Sequence, residues 1–589
     1  MRLLAKTRSV LAVLGVLAYV GVFGALVLYL GIYPLGWILP ARRRALVGWF
    51  MRLMSWGILG GARLGGARLE RAGTVPTDGP VLVLMNHQSL LDICTLTLMS
   101  WPAVPAFVTR KRYGYGVPVI SACVRGIGSP IIEPERDPRA AVDLLRASAP
   151  TLTSGVVLFA EGHRSKDGAL RAFRSAGVEA LMAVHPMPVW VVATDGFWTS
   201  RTLNDVLFNV DNIQGRTEVL GRLDPPAPGA DVKPLVAQAR ELIAQRITEM
   251  RADPDSPPPA LVPAALVEAI RARVTEAPAP EAVRAARALA EAGDGQLEAV
   301  VFFGSRMTNA QPGAGSALDF FAVASDERRL YEGWKRAGLV KRSPALLAAL
   351  GHVLPPTSVA LNLPDGDGGE LFCKVAVSGA AAFRRATSLR HRDHFTLGRL
   401  FQRTSLVYAR DAAAEERALR ALARAHVLTY RWARPWLPEG FDAEAYAQAL
   451  LRVSFAGEIR PEPVAARVAT LWQAQQDYLR PVYGVLLEAL AARGDLRRLE
   501  DGRFALRRPV ARRERLRRSL YFRFSMARAT ARWGKHVLSF DGWLDFLVRK
   551  ARRHTGEDIV LSPRERRAPL IFLWPRVWRY LRHKDRQSP

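Results

Sequence analysis

The longest apolar stretch comes first in the chain. Residues 9–41 run for 33 positions without a charged side chain, with Arg2, Lys6 and Arg8 ahead of them and Arg42, Arg43 and Arg44 behind. This predicts a membrane segment occupying residues 1–44. As one straight α-helix the run would measure about 50 Å, against roughly 30 Å of bilayer hydrocarbon. Gly31-Ile-Tyr-Pro34-Leu-Gly36 offers a break, so one tilted span and a hairpin or re-entrant segment both remain open. Basic flanks at both ends leave orientation undecided, with a slight lean toward both ends on the cytoplasmic side. No small-residue cleavage site follows a short apolar core, so a removed signal peptide is not expected.

Beyond residue 44 the pattern changes to short apolar runs separated by helical periodicity. PVLVLMNHQSLLDI (80–93), GSPIIEPER (128–136), LFAEGHRS (158–165) and MPVWVVATDG (187–196) each carry an apolar run into polar or charged residues. Runs of this length predict buried strands, and their alternation with helices predicts an α/β domain over 45–250. ADPDSPPPALVPAA (252–265) is a proline-rich linker, bounded at 251–263. Ala/Arg-rich helices over 264–292 and the strand LEAVVFFG (297–304) open a second region, an α+β domain with a helical extension over 264–510.

Charge modifies this outline at the end of the chain. The 589 residues carry 83 Lys and Arg against 54 Asp and Glu, a net charge of +29, which demands an anionic partner. Residues 511–589 hold 21 basic and 7 acidic side chains, interleaved with Tyr521, Phe522, Phe524, Trp533, Trp543, Phe546, Trp574, Trp578 and Tyr580. No apolar run there is long enough to span a bilayer, so the expectation is a basic amphipathic tail in the interface of an anionic membrane. A solvated tail or a nucleic-acid arm is the competing assignment. The three cysteines, Cys94, Cys123 and Cys373, are too scattered for a zinc site or a disulfide framework, as in a reducing cytosol.

Chemistry gathers first around His87. A histidine at a strand's mouth, with Asp92 in the first turn of the next helix, pairs a base with its orienter. Arg136 and Arg164 offer forked donors to a phosphate monoester, Gly162 admits close backbone approach, and Glu161 is placed to orient one of the arginines. These blocks resemble the glycerolipid acyltransferase family typified by 1-acylglycerol-3-phosphate acyltransferase. Its N-H-x-x-x-x-D appears as Asn86-His87 to Asp92, its glycine-to-arginine strand as Gly128 to Arg136, and its F-P-E-G-T-R-S as Phe159-Ala160-Glu161-Gly162-His163-Arg164-Ser165. The resemblance covers about residues 40–225. It implies that His87 deprotonates a glycerol hydroxyl, that Asp92 orients it, and that Glu161, Gly162, Arg164 and Arg136 hold lysophosphatidate, with acyl-CoA or acyl-ACP as thioester donor. Ala160 and His163 depart from the family's proline and threonine.

A second constellation follows the strand ending at Phe303. Gly304-Ser305 and, fourteen positions beyond, Asp319 within SALDFFAV have the layout of a triphosphate-cradling turn and a metal-binding carboxylate. Phe321 stands where such sites usually have a second Asp, with Asp326 and Glu458 as candidate replacements. The region resembles the mitochondrial-type phosphatidate cytidylyltransferases, also called translocator assembly and maintenance proteins. The resemblance runs through Phe303-Gly304-Ser305, Leu318-Asp319 with Val323, Leu361-Asn362, Lys374-Val375-Ala376-Val377, Gly398-Arg399-Leu400, Leu437-Pro438 with Phe441, and Ser454-Phe455 with Gly457, Glu458 and Arg460, over about residues 297–470. That family's H-Y-S stretch has no clear counterpart near Lys341-Arg342-Ser343. The resemblance implies CTP and Mg2+, with Asp319 on the metal, Gly304 and Ser305 on the triphosphate, and Lys374 and Arg399 on phosphates.

Together these expectations describe a bifunctional enzyme of phospholipid biosynthesis at the inner (cytoplasmic) membrane, its catalytic domains facing the cytosol. It would make phosphatidate and then CDP-diacylglycerol. One alternative is an acyltransferase with a degenerate lipid-binding second half. The other is a second half acting on RNA, against which the apolar N-terminus argues; no nucleic acid is expected.

Overall fold

The computed structural model describes residues 2–202, 205–206, 209–227, 229–252, 262–276, 279–308, 317–364, 369–388, 391–457, 464–539, 544, 548, 560–567 and 572. They form two compact units, Met1–Leu261 with Leu487–Pro509, and Val262–Leu486 with Val510–Pro589. Most of the linker, Glu458, and the tail aromatics Trp543, Phe546, Trp574, Trp578 and Tyr580 lie outside the described residues.

The N-terminal helix α1, Thr7–Ile38, does not break at Gly31–Gly36. It passes through π-helical turns at Tyr19–Phe23 and Val27–Ile32, and the second of these carries the chain into Pro34 without a stop, because a widened turn tolerates a residue lacking N–H. The turn comes at Leu39, before Pro40. A second helix, α2 (Arg43–Leu64), then returns antiparallel along α1. Gly57, Gly61 and Gly65 form the seam: a Cβ on Gly57 would stand 2.2 Å from the Tyr19 ring, and one on Gly61 2.1 Å from Val16. This four-residue spacing of small side chains lets apolar helices approach closely. Ser9 Oγ donates to Gly65 O at 2.9 Å and the Tyr19 hydroxyl to Leu53 O at 3.0 Å. Both helices are long and apolar enough to cross a membrane.

The rest of the first unit is a three-layer α/β domain. Its strands are β1 (Arg68–Ala72), β2 (Leu82–Met85), β3 (Ala106–Phe107), β4 (Val156–Phe159), β5 (Val189–Asp195) and β6 (Gln214–Leu223), in the order β1-β6-β5-β2-β4-β3. All pair in parallel except β5 with β6. Alternate side chains reach two cores, as the pleat requires. Leu82, Leu84, Val156 and Val189 pack with the C-terminal helix of the unit, α4 (Lys233–Arg251), whereas Val83, Met85, Val157 and Val192 pack with Phe50 and Met54 of α2. Helix α3 (Leu91–Met99) follows β2 across a five-residue loop, 86–90. The hairpin of Leu496–Arg498 with Phe504–Leu506 groups with this unit rather than with the second region, where the sequence placed it. Arg507 pairs with Asp78 at 2.6 Å, and Thr74 N donates to Arg493 O.

In the second unit α5 (Ala264–Val274) and α6 (Pro280–Ala292) precede a mixed sheet of β7 (Leu297–Phe303), β8 (Leu318–Ala324), β9 (Thr357–Pro364), β10 (Glu370–Gly379) and β11 (Ser405–Ala409), ordered β9-β10-β8-β7-β11. Trp334 of α7 (Glu327–Arg336) is fully buried against α6 and donates to Leu289 O at 2.9 Å. Three further helices follow, α8 (Ala412–Ala433), α9 (Ala443–Ala456) and α10 (Val464–Ala492). The first part of the expected interfacial tail is instead a docked helix, α11 (Arg512–Ser539). Arg528 and Arg532 pair with the buried Asp393 at 3.0 and 2.7 Å, Lys535 Nζ donates to Leu354 O and Pro356 O, and Tyr521 and Phe522 pack on Trp432. These charges and rings, assigned to a membrane surface, are here satisfied inside the unit, whereas Arg515, Arg523, Leu516, Leu520 and Phe524 stay exposed.

Candidate active site

The loop between β2 and α3 is held on every side. Asn86 exchanges two hydrogen bonds of 2.8 Å with the backbone of Thr194 on β5, which locks the two strand ends together. Gln88 donates to Asp195 at 3.0 Å and accepts from Phe197 N, while Ser165 N donates to His87 O. Asp92 is fully buried, and its Oδ2 accepts from His87 Nδ1 at 2.9 Å, Gln88 N at 2.7 Å and Ser89 N at 2.8 Å. The carboxylate fixes the tautomer: Nδ1 carries the proton and Nε2 is left basic. No group among the described residues bonds Nε2, and the ring lies flat against Phe159, centroids 3.9 Å apart.

Burial pushes the His87 pKa below its ordinary value; Asp92 pulls against this, and the Arg164 and Arg110 guanidinium groups add to it. His87 is therefore neutral near pH 7, as a base must be.

Glu161 does not orient an arginine. Its Oε1 accepts from His87 N at 2.7 Å and its Oε2 from Arg171 N at 3.0 Å, so it braces the backbone of His87 and of a second loop. Gly162, at φ 72°, turns the chain beside it, and its carbonyl accepts from Arg110 at 3.0 Å. Arg164 is steadied by Tyr113 OH at 2.8 Å and by the carbonyl of Arg201. Arg136 is exposed next to Glu135, whose carboxylate takes Arg110 at 2.6 Å, so the turn carrying Arg136 borders the same cations. His163 stands 3.9 Å from Glu135 at the rim. Arg110 was missed by motif spacing; the signal was available in residues 104–108, one more apolar run ending in cations. Arg251, last residue of α4, was missed as well: it holds Asp195 bidentately at 2.6 and 2.8 Å and Gly168 O at 2.7 Å.

His87, Asp92, Arg110, Glu161 and Arg164 all fall inside one span with known relatives. Residues 67–193 match the acyltransferase family model. The chain is 30% identical over 174 residues to a chloroplastic 1-acyl-sn-glycerol-3-phosphate acyltransferase of Arabidopsis thaliana, covering 29% of this chain and 45% of that protein. It is 35% identical over 107 residues to the 1-acyl-sn-glycerol-3-phosphate acyltransferase of Helicobacter pylori, covering 18% of this chain and 44% of that protein. The chain thus spans less than half the length of these relatives. A crystal structure of the 1-acyl-sn-glycerophosphate acyltransferase from Thermotoga maritima aligns with 42% of this chain and 98% of its own, at TM-score 0.32 and 18% identity.

Outside the acyltransferase match, a second cluster forms on three adjacent strands. Asp319 on β8 stands opposite Phe303 on β7 and beside Lys374 on β10. Gly304, at φ 95°, lies so close that a Cβ there would come 2.6 Å from Asp319 Oδ2. Ser305 opens the short helix after it. Phe321, on the same face as Asp319, packs between Phe303 and Phe383. Asp326 is at the other end of β8, about 20 Å from Asp319 by strand rise, where it caps α7 by accepting from Arg328 N and Arg329 N. It cannot share a metal with Asp319. Arg399 donates to Phe395 O at 2.8 Å and lies 3.8 Å over that ring. Among the described residues no three His, Cys, Asp or Glu side chains gather for a metal. The Asp319 carboxylate, in the space left by Gly304, is a hard oxygen donor of the kind magnesium takes.

Proposed function

We propose that the first unit acylates a 1-acylglycerol 3-phosphate to phosphatidate, and that the second transfers a cytidylyl group from CTP to phosphatidate, giving CDP-diacylglycerol. The observation that carries the first step is the buried Asp92 on Nδ1 of a neutral histidine whose Nε2 has no partner among the described residues. His87 Nε2 takes the proton of the acceptor hydroxyl as its oxygen attacks the thioester carbonyl. Collapse of the tetrahedral adduct breaks the carbon–sulfur bond, and the leaving thiolate takes the proton back. Asp92 stabilises the imidazolium between these events. Arg164 and Arg110 supply donors to the acceptor's phosphate. The names of the relatives support this acceptor; the donor is acyl-CoA or acyl-ACP.

For the second step, support comes from the convergence of Gly304, Asp319 and Lys374 on neighbouring strands. Magnesium held by Asp319 would neutralise triphosphate charge. The Lys374 ammonium stabilises charge gathering on departing pyrophosphate. The burial of Phe321 among rings favours one other assignment for this half, a lipid-binding module without catalysis. The two apolar helices support attachment to a membrane; its being the inner membrane, with both units on the cytosolic side, is part of the proposal.

Product analysis with lysophosphatidate, acyl-CoA and CTP tests both steps. His87→Ala should abolish phosphatidate formation yet convert supplied phosphatidate to CDP-diacylglycerol. Asp319→Asn should stop at phosphatidate. Absence of CDP-diacylglycerol from the wild type would end the two-enzyme proposal, and its formation by Asp319→Asn would remove Asp319 from its role.

A further inference from the structure

A cavity of about 590 Å³ opens in the second unit between α9, α11 and the Arg434–Trp436 turn. Its apolar lining includes Val453, Phe522 and Met526, with Trp436 at the mouth. Phe522 is immobilised from behind by Trp432, centroids 5.3 Å apart, and by Gly457, where a Cβ would stand 2.6 Å from the ring. Three guanidinium groups border this hollow, those of Arg452, Arg515 and Arg523. All three residues are exposed.

Their charge is what distinguishes the place. Nearby arginines are neutralised: Arg434 by Glu514, Arg528 and Arg532 by Asp393. Among the described residues no carboxylate pairs with Arg452, Arg515 or Arg523, and none lines the cavity. Three forked donors without a carboxylate partner among the described residues, set around an apolar hollow, match an anionic head joined to hydrocarbon, rather than a free anion or a neutral lipid.

We propose that this cavity binds one glycerophospholipid carrying a phosphate monoester, with the phosphate on Arg452, Arg515 and Arg523 and the upper chain segments on Val453, Phe522 and Met526. The volume suits a head and the first part of its chains, so the remainder stays in the bilayer. This rests on the reading of the second unit as a user of phosphatidate, and places a lipid-holding site on α9 and α11, outside the Asp319 cluster.

The test is calorimetric titration, without CTP, of the full chain in phosphatidylcholine nanodiscs. Arg164→Gln serves as background to weaken phosphate binding by the first unit. The probes are a water-soluble short-chain phosphatidate, glycerol 3-phosphate and a short-chain phosphatidylcholine. Short-chain phosphatidate should bind at least tenfold more tightly than the other two. Arg515→Gln and Arg523→Gln should each weaken it about tenfold, as loss of a charge-assisted hydrogen bond does. Ala456→Trp, which fills the hollow and leaves every charge in place, should abolish it. Unchanged binding in the arginine variants or in Ala456→Trp overturns the proposal, as does glycerol 3-phosphate binding equally well. Asp319→Asn should keep full binding, so a failed cytidylyl reaction and a failed lipid site give different results.

Discussion

Replacing Asp92 by Asn separates the electrostatic role of this residue from its architectural one. Asp92 Oδ2 accepts three hydrogen bonds, two from backbone N–H groups and one from His87. A neutral acceptor weakens each backbone bond by roughly 1 kcal/mol, so the domain should lose about 2 kcal/mol of stability. The rate falls for another reason. Only the bond to His87 gains strength during reaction, when the imidazole becomes an imidazolium facing a carboxylate at 2.9 Å. With the two delocalised charges centred about 4 Å apart, such an ion pair is worth about 4 kcal/mol at an effective dielectric constant near 20; a neutral acceptor keeps part of that, so kcat should drop by about 10²- to 10³-fold. Thiol release from acyl-CoA with lysophosphatidate as acceptor measures it, with thermal melting to confirm folding. The pH profile gives an independent sign. Activity requires neutral His87 and falls as pH drops through its pKa; Asp92 raises that pKa, so Asp92→Asn should move the acid limb to lower pH. A folded variant within about threefold of wild-type kcat, or an acid limb displaced upward, would refute the assignment.

Phe159→Ala should act with the opposite sign: water reaching the ring face that Phe159 covers at 3.9 Å relaxes the burial that depresses His87, so the acid limb moves up in pH. Gly304→Ala forces a Cβ into a backbone at φ 95° and within 2.6 Å of Asp319 Oδ2; CDP-diacylglycerol formation should fall at least tenfold while phosphatidate formation is unchanged, and full activity would argue against the cluster. Lys535 lies on the buried face of α11, and burial lowers its pKa to about 7, against about 10.4 in an unfolded chain. The unfolded state therefore binds more protons between these values, so stability should rise with pH from 7 toward 10 by up to about 1.4 kcal/mol per unit. Lys535→Met should flatten that slope in melting experiments, and a slope unaltered by the substitution would rule out Lys535 as its source.

The strands nearest the first site were legible because buried parallel strands read as unbroken apolar runs; β2, β4 and β5 all end where the sequence turns polar. The Asp92–His87 pair was legible for the same reason, since a strand end and the next helix's first turn must approach. Glu161 was not, because its partners are backbone N–H groups that no side-chain pattern announces. Helix α2 reads as too charged for a membrane segment, yet Arg44, Arg52 and Arg63 spend their charge on the carbonyls of Thr151, Ser100 and Leu69. In α11 a basic amphipathic pattern conceals a docked helix, because Asp393, nearly 140 positions earlier, is invisible to local periodicity. For Asp326 a cue was present: an Asp just ahead of a helical run is most often its cap.

Arg251 shows where the two halves can be parted. On the sequence a boundary at residue 250 looks natural, because α4 has by then covered one face of the sheet. The last side chain of that helix nonetheless ties Asp195, and through it Gln88, to the Gly168 loop. Any separation of this chain into free-standing enzymes, by protease, by gene fission or by design, must fall beyond residue 251 and must also keep Leu487–Pro509 with the first unit. A cut one position earlier leaves a buried carboxylate without its cation beside the histidine loop, so a single arginine sets how short the first segment of that unit can be.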